Sequence, residues 1–117
     1  MASPVVHFEI LGKDGGKSRE FYGGLFDWKF DVQAEMDYGL VEAAGEKSSG
    51  GGIGKAPEGV NPLLTFYVQV DDLQAYLDKA EKLGGKTLAP PSAIPGVGSF
   101  AWVADPDGNC VGLYKPA

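Results

Sequence analysis

The sequence is poorest in the residues that most often announce a function. It holds one cysteine, Cys110, one histidine, His7, and one arginine, Arg19. A lone cysteine excludes an internal disulfide and suits a reducing compartment, so a cytoplasmic location is expected. Sixteen acidic residues outweigh ten basic ones, for a net charge of −6, and no cationic cluster exists for phosphate backbones. Neither nucleic acid nor an anionic membrane surface is therefore expected as a partner. Met1 to Leu11 lacks a basic segment followed by an apolar one, so no signal peptide is expected. No apolar run approaches the ~20 residues of a membrane span. A G-x-S-x-G nucleophile elbow is also missing, and Cys110 has no basic neighbour in sequence to activate it. An inert, buried thiol is the expectation there.

Glycine, by contrast, is abundant. It accounts for 18 of 117 residues, more than twice the ordinary share of about 7%. With 8 prolines it predicts many turns and short elements, which favours strands over a helical bundle. The hydrophobic share of 44% and charged share of 22% are ordinary globular values and exclude disorder. The length predicts one domain, residues 1–117, that needs no metal or disulfide staple.

Two halves of the chain share one pattern. Pro4-Val5-Val6-His7-Phe8-Glu9-Ile10 reads as a strand, and Pro62-Leu63-Leu64-Thr65-Phe66-Tyr67-Val68 repeats it 58 positions later. Each copy precedes a helix. The first is capped by Asp14, carries Phe21, Tyr22, Leu25 and Phe26, and stops at Asp27 in a left-handed conformation. The second is predicted to open on an Asp71–Gln74 capping box and to align Leu73, Tyr76, Leu77, Ala80 and Leu83 before Gly84-Gly85 ends it. Three strand-like stretches follow each helix. They are Trp28 to Val32, Tyr38 to Ala44 and Gly51 to Gly54, then Lys86 to Ala89, Ser99 to Ala104 and Cys110 to Tyr114. Gly45 to Ser49 and Ala56 to Asn61 read as loops, and Asp105-Pro106-Asp107-Gly108 as a turn. The expected fold is α+β, two β-α-β-β-β modules spanning residues 1–58 and 59–117 and building a mixed sheet.

Strand alternation assigns the faces. Val6, Phe8, Ile10, Leu64, Phe66, Val68 and Val70 are expected beneath the helices. His7, Glu9, Thr65, Tyr67 and Gln69 share the opposite face, which reads as a pocket lining or as a solvent-facing sheet surface. Cys110 and Tyr114 share the parity of Gly112 on the last strand and join the candidate ligand-binding residues. His7 and Glu9 are the candidates for acid–base catalysis. Glu9 is expected to raise the pKa of His7, to act as base itself, or to pair with Thr65 or Tyr67. Trp28, Tyr38, Tyr67, Trp102 and Tyr114 offer flat stacking surfaces, with Trp28 expected in the core. Gly50-Gly51-Gly52 reads as a strand bend or as extra room for a bulky ligand. Ile94 to Gly98 reads as a loop with glycines that permit movement. Gly16-Lys17-Ser18, Gly85-Lys86-Thr87 and Gly96-Val97-Gly98 echo phosphate-binding motifs without the required context and are expected to be turns.

The repeated modules resemble the vicinal oxygen chelate superfamily, which includes glyoxalase I, extradiol dioxygenases and bleomycin- and fosfomycin-resistance proteins. Val5 to Ile10, Phe21-Tyr22-Gly23-Gly24-Leu25-Phe26-Asp27-Trp28, Val70-Asp71-Asp72-Leu73 and Asp105 to Asn109 carry the resemblance. It implies a curved mixed sheet forming a cup that holds the ligand, helices on the outside, and a homodimer. Metal-dependent members take a His or Gln from the first strand of each module and a carboxylate from the last. The matching positions here are His7, Thr65, Gly52 and Gly112, so one of four ligands survives and no metal or other cofactor is expected. A set of His7, Glu9 and Cys110 ranks below a metal-free pocket, because residues two apart on a strand are ~6.5–7 Å apart, an awkward span for one ion. The first functional reading is a metal-independent binder of a small hydrophobic or aromatic molecule, as in resistance-type relatives. The alternatives are a lyase- or isomerase-type enzyme using His7 and Glu9, and a dimeric interaction module whose cup is vestigial and filled by its own aromatic side chains.

Overall fold

A computed structural model describes residues 2–43, 45 and 48–117. The end of the expected third strand at Ala44, and Glu46-Lys47 in the expected loop, lie outside the described residues. The elements are β1 (Val5–Gly12), α1 (Gly15–Phe26), β2 (Phe30–Gln33), a short 3-10 turn (Ala34–Met36), β3 (Tyr38–Val41), β4 (Gly51–Lys55), β5 (Leu63–Gln69), α2 (Leu73–Lys82), β6 (Lys86–Ile94), β7 (Gly98–Ala104) and β8 (Cys110–Pro116). The fold is α+β and duplicated, as the repeat implies. No helix among the described residues is long and apolar enough to cross a membrane.

The chain divides into two compact units, His7–Leu64 and Thr65–Ala117, the latter with the N-terminal segment through Val6. That segment is tied to its unit by the Gln69 N–H, which donates to the Pro4 carbonyl at 2.9 Å. In the His7–Leu64 unit β2 pairs antiparallel with β3, β3 antiparallel with β4, and β4 parallel with β1. The other unit repeats this: β6 with β7 and β7 with β8 antiparallel, β8 parallel with β5. Even the register repeats, since Glu9 faces Gly52 and Tyr67 faces Gly112.

Helix ends follow local chemistry. The Asp14 side chain accepts from the Lys17 N–H at 3.1 Å, and Asp27 closes α1 at φ 59°. Gly16-Lys17-Ser18 is thus helix rather than turn. The cap of α2 falls one residue later than the Asp71–Gln74 box predicts. Asp72 accepts from the Ala75 N–H at 3.0 Å, while the Gln74 amide turns to Asp78. At its other end the Gly85 N–H reaches the Ala80 carbonyl and the Gly84 N–H the Glu81 carbonyl, with Gly84 at φ 100°. Leu83 therefore sits in the cap, 72% exposed, and not in the core stripe expected of it.

The core of this unit joins Leu73 and Leu77 of α2 to Val70, Ala101, Val103 and Leu113 beneath. Here the face assignment needs correction. Leu64 is 70% and Phe66 42% exposed, whereas Thr65 and Tyr67, expected to line a pocket or a solvent-facing surface, are 8% and 7% exposed. The ten-residue α2 packs on Val68 and Val70 at the end of β5, and its core cluster does not include Leu64 or Phe66. The stretch from Ile94 to Gly98 forms the hairpin turn between β6 and β7. The Val97 N–H bonds to the Ile94 carbonyl, and the Val97 carbonyl accepts from the Tyr114 hydroxyl and the Ala117 N–H. Pro95 and Gly96, the latter at φ 76°, supply the turn chemistry. The turn at Asp105 forms as read: its carboxylate accepts from the Asn109 side chain and from the N–H groups of Asn109 and Asp107, which hold its pKa low.

Candidate functional site

In the His7–Leu64 unit the site grows from a missing set of side chains. Gly52 and Gly54 stand on one face of β4, so the sheet there has a bare trough beside Glu9 of β1. Tyr38, the first residue of β3, lays its ring along this trough. A Cβ built on Gly52 would fall within the Tyr38 phenol, and one on Gly54 would meet the Tyr38 ring at 2.6 Å. The glycines therefore make room for a ring of the protein itself, not for a bulky ligand as one reading of Gly50-Gly51-Gly52 held. Gly51 does the same for Phe8 on the other face.

The trough delivers the Tyr38 hydroxyl between two polar groups of β1. It donates to Glu9 Oε1 at 3.0 Å and lies 2.9 Å from His7 Nε2. The imidazole and phenol planes are nearly parallel, 17° apart, with centroids 6.5 Å apart. His7 and Glu9 are thus linked through Tyr38, which sequence reasoning offered only as a stacking surface. The signal that could have found it is the alternation Gly52-x-Gly54, which demands a large neighbour to fill the gap.

Burial lowers the pKa of His7 below its ordinary value by desolvating the charged form. A raised pKa, one of the outcomes expected from Glu9, is not what this environment produces. The sign for stability follows from proton counting. Below about pH 6.5 the unfolded chain binds more protons at His7 than the folded one, so the stability tied to neutral His7 is present above that pH and lost as pH falls through the lowered pKa. The urea midpoint of the native chain should fall more steeply between pH 6.5 and 5 than that of His7→Gln. The difference is bounded at about 1.4 kcal/mol per pH unit, one proton's worth. Parallel profiles would show that His7 is not desolvated.

The other unit repeats the theme with different chemistry. A Cβ on Gly112 would collide with the Tyr67 ring, and the Tyr67 hydroxyl accepts from Trp102 Nε1 at 2.8 Å. Thr65 donates to the Cys110 carbonyl at 2.8 Å, and Cys110 itself is half-buried with no disulfide. Tyr114 spends its hydroxyl on the Val97 carbonyl, and Gln69 is exposed at the end of β5. Of the candidate residues, then, one unit brings His7 and Glu9 together around Tyr38, and the other brings Thr65 to Cys110 and Tyr67 to Gly112. Two clefts lie elsewhere. One of about 440 Å³ is lined by Ser3, Pro4, Gln69, Tyr76 and Lys115 among others, and one of about 590 Å³ by Glu35, Met36, Asp37, Lys55 and Glu58 among others. Gln69 is the sole candidate residue lining either.

The family profile of the Glyoxalase/Bleomycin resistance protein/Dioxygenase superfamily matches residues 5–113. The chain belongs to that superfamily. It is 30% identical over 118 residues to "Putative glyoxylase CFP32" of Mycobacterium tuberculosis, covering 92% of this chain and 43% of that one. It is 27% identical over 124 residues to anthracycline biosynthesis protein DnrV of Streptomyces peucetius, covering 92% and 45%. The chain thus spans less than half the length of these curated relatives. A solved superfamily member from Vibrio splendidus 12B01 superposes with a TM-score of 0.66 at 12% identity, covering 97% of this chain and 99% of that one, a likeness of fold.

The superfamily's metal-dependent members raise the question of a metal here, and the residues present do not fit one. Gly52 and Gly112 offer no side-chain donor, and the space where a ligand's Cβ would begin is filled by Tyr38 and Tyr67. Thr65 directs its hydroxyl proton to a backbone carbonyl. Among the described residues no group of three or more His, Cys, Asp or Glu side chains is placed to hold an ion. Such a site needs three or four nitrogen, oxygen or sulfur ligands from the protein.

Proposed function

We propose that the chain binds a small hydrophobic or aromatic molecule without a metal, at a site built on His7, Tyr38 and Glu9. The observation that carries this reading is the Tyr38 phenol. It lies where a superfamily metal carboxylate would start and links His7 to Glu9 by two hydrogen bonds. An imidazole, a phenol and a carboxylate joined in one cluster suit an organic ligand with a few polar atoms. The name of the Streptomyces relative, which places it in anthracycline biosynthesis, agrees with an aromatic ligand.

A second reading has its own support. In a dimeric interaction module with a vestigial cup, the protein's own rings fill the space, as Tyr38 and Tyr67 do at Gly52 and Gly112. The exposed Phe21, Leu25 and Phe26 of α1 would then serve association. One experiment separates the two. The native chain is loaded with manganese, zinc, nickel and iron(II), desalted and assayed for metal, then screened by thermal shift against hydroxylated and unsubstituted aromatic compounds. A ligand at a hundred times its Kd adds about 2.7 kcal/mol, several degrees in Tm, and that gain should disappear in His7→Ala. One metal per chain that is lost in His7→Ala would overturn the metal-free reading. A screen with no stabilising compound, on a chain that sediments as a dimer, would favour the interaction module.

A further inference from the structure

The cleft of about 440 Å³ has none of His7, Glu9 or Tyr38 in its walls. It is built wholly from the Thr65–Ala117 unit with its N-terminal segment. Small-molecule sites run from roughly 300 to 1,000 Å³, so its size is that of a site. Main-chain bonds fix its walls. The Gln69 N–H holds the Pro4 carbonyl at 2.9 Å, and the Val70 N–H holds the Tyr114 carbonyl at 2.8 Å. Val70 is buried, and Tyr76 packs against the core of the unit. A ligand meets a shape that exists before it arrives.

The polar groups of the cleft are uncommitted. Among the described residues the side chains of Gln69, Asp71 and Lys115 make no hydrogen bond or ion pair. The hydroxyls of Ser3 and Tyr76 stand 3.5 Å apart, too long for a strong bond between them, so both keep capacity for a ligand. The repeat shows that folding does not demand this polarity. Gln69 stands 58 positions after Leu11, which is buried, and Tyr76 stands 58 after Ser18.

Charge narrows the ligand. Asp71 and Lys115 line one cleft without pairing with each other. An anion would meet the Asp71 carboxylate, and a cation would meet the Lys115 ammonium. A neutral sugar would answer both charges with hydroxyls alone. A zwitterion answers each with its opposite. The Tyr76 ring and Pro116 offer an apolar wall for the rest of the molecule.

We propose that this cleft binds a free amino acid as its zwitterion, with the carboxylate at Lys115 and Gln69, the ammonium at Asp71 and the side chain against Tyr76. It is a second site and does not rest on the ligand proposed for the His7 cluster. Asp71 and Lys115 are exposed, so water and salt screen them, and each charge contact is worth about twofold to fivefold in affinity.

Phenylalanine is the probe, because phenethylamine and phenylpropionate keep its ring and each lack one charge. In the 15N-labelled native chain, phenylalanine at millimolar concentration should displace the backbone amide signals of Gln69, Asp71 and Lys115. Lys115→Met should weaken phenylalanine and phenylpropionate by about twofold to fivefold and leave phenethylamine unchanged. Asp71→Asn should weaken phenylalanine and phenethylamine by as much and leave phenylpropionate unchanged. Both side chains are exposed, so the urea midpoint should hardly move. Either variant alone decides, should the other fail to fold. No displaced amide in the cleft overturns the site. Phenylalanine binding that is indifferent to both substitutions, as binding at the His7 cluster would be, overturns the assignment to this cleft. All three probes weakened equally by each substitution would overturn the zwitterion.

Discussion

Gly52→Asp is expected to destabilise the chain by about 3 kcal/mol or more and to create no metal site. The substitution restores a carboxylate at a position where metal-dependent superfamily members carry a ligand. Its Cβ, however, falls within the Tyr38 phenol, so the ring has to leave the trough. Overpacking alone costs about 1–3 kcal/mol. Expelling Tyr38 also breaks its bonds to Glu9 and His7, and a buried polar group that loses its partner costs about another 1–3 kcal/mol. Urea denaturation measures the loss as a lower midpoint at an unchanged slope. The double variant Gly52→Asp with Tyr38→Ala should recover a large part of it, since neighbours that collide do not add. Full stability in Gly52→Asp alone would mean that the ring does not occupy that space.

The duplication was legible because it is written twice. Two strand patterns 58 residues apart, each followed by a capped helix and three short strands, forced the β-α-β-β-β modules, and the paired registers Glu9–Gly52 and Tyr67–Gly112 follow the same repeat. Turn chemistry at Asp27, Gly84 and Asp105 was equally local and equally readable. The faces were harder. Parity correctly separates Leu64 and Phe66 from Thr65 and Tyr67, and α2 covers the Val68 and Val70 end of the first set, but parity does not say how far along the strand the helix reaches. That depends on where α2 begins and how far its ten residues reach, and both are tertiary facts. The site suffered from a related blindness. His7 and Glu9 stood out by residue type and shared parity, whereas Tyr38 is one tyrosine of five with no sequence neighbour in the site. Its role comes from a trough on β4, two strands' worth of register away from His7. Glycines on alternate residues were the visible trace of that trough, and the space they vacate is claimed by the chain itself.

Arg19→Met should cost about 2–3 kcal/mol. Arg19 projects from α1 and donates to the carbonyls of Asp37 and Ile53, each at 3.2 Å, and to the Asp37 carboxylate at 3.0 Å. Its guanidinium is largely buried, and Gly39 leaves the stem room to pass. The ion pair contributes little by itself, because Asp37 is 43% exposed and water screens the attraction. The larger loss is the bond to the carbonyl of Ile53, a fully buried residue, since hydrogen bonds from a charged donor are worth about 1.5–3 kcal/mol. Methionine keeps much of the apolar stem, so the measured drop reports the bonds rather than a cavity. The consequence extends to the site. Asp37 holds a left-handed conformation at φ 47° immediately before Tyr38, and Arg19 clamps that turn against β4. With the clamp removed, the Tyr38 hydroxyl loses its fixed approach to His7 and Glu9. The extra loss of stability between pH 6.5 and 5 that marks a desolvated His7 should then shrink in Arg19→Met, although no described hydrogen bond joins Arg19 to His7 or Glu9. A stable Arg19→Met chain that keeps the native pH profile would show that the trough alone holds Tyr38 in place.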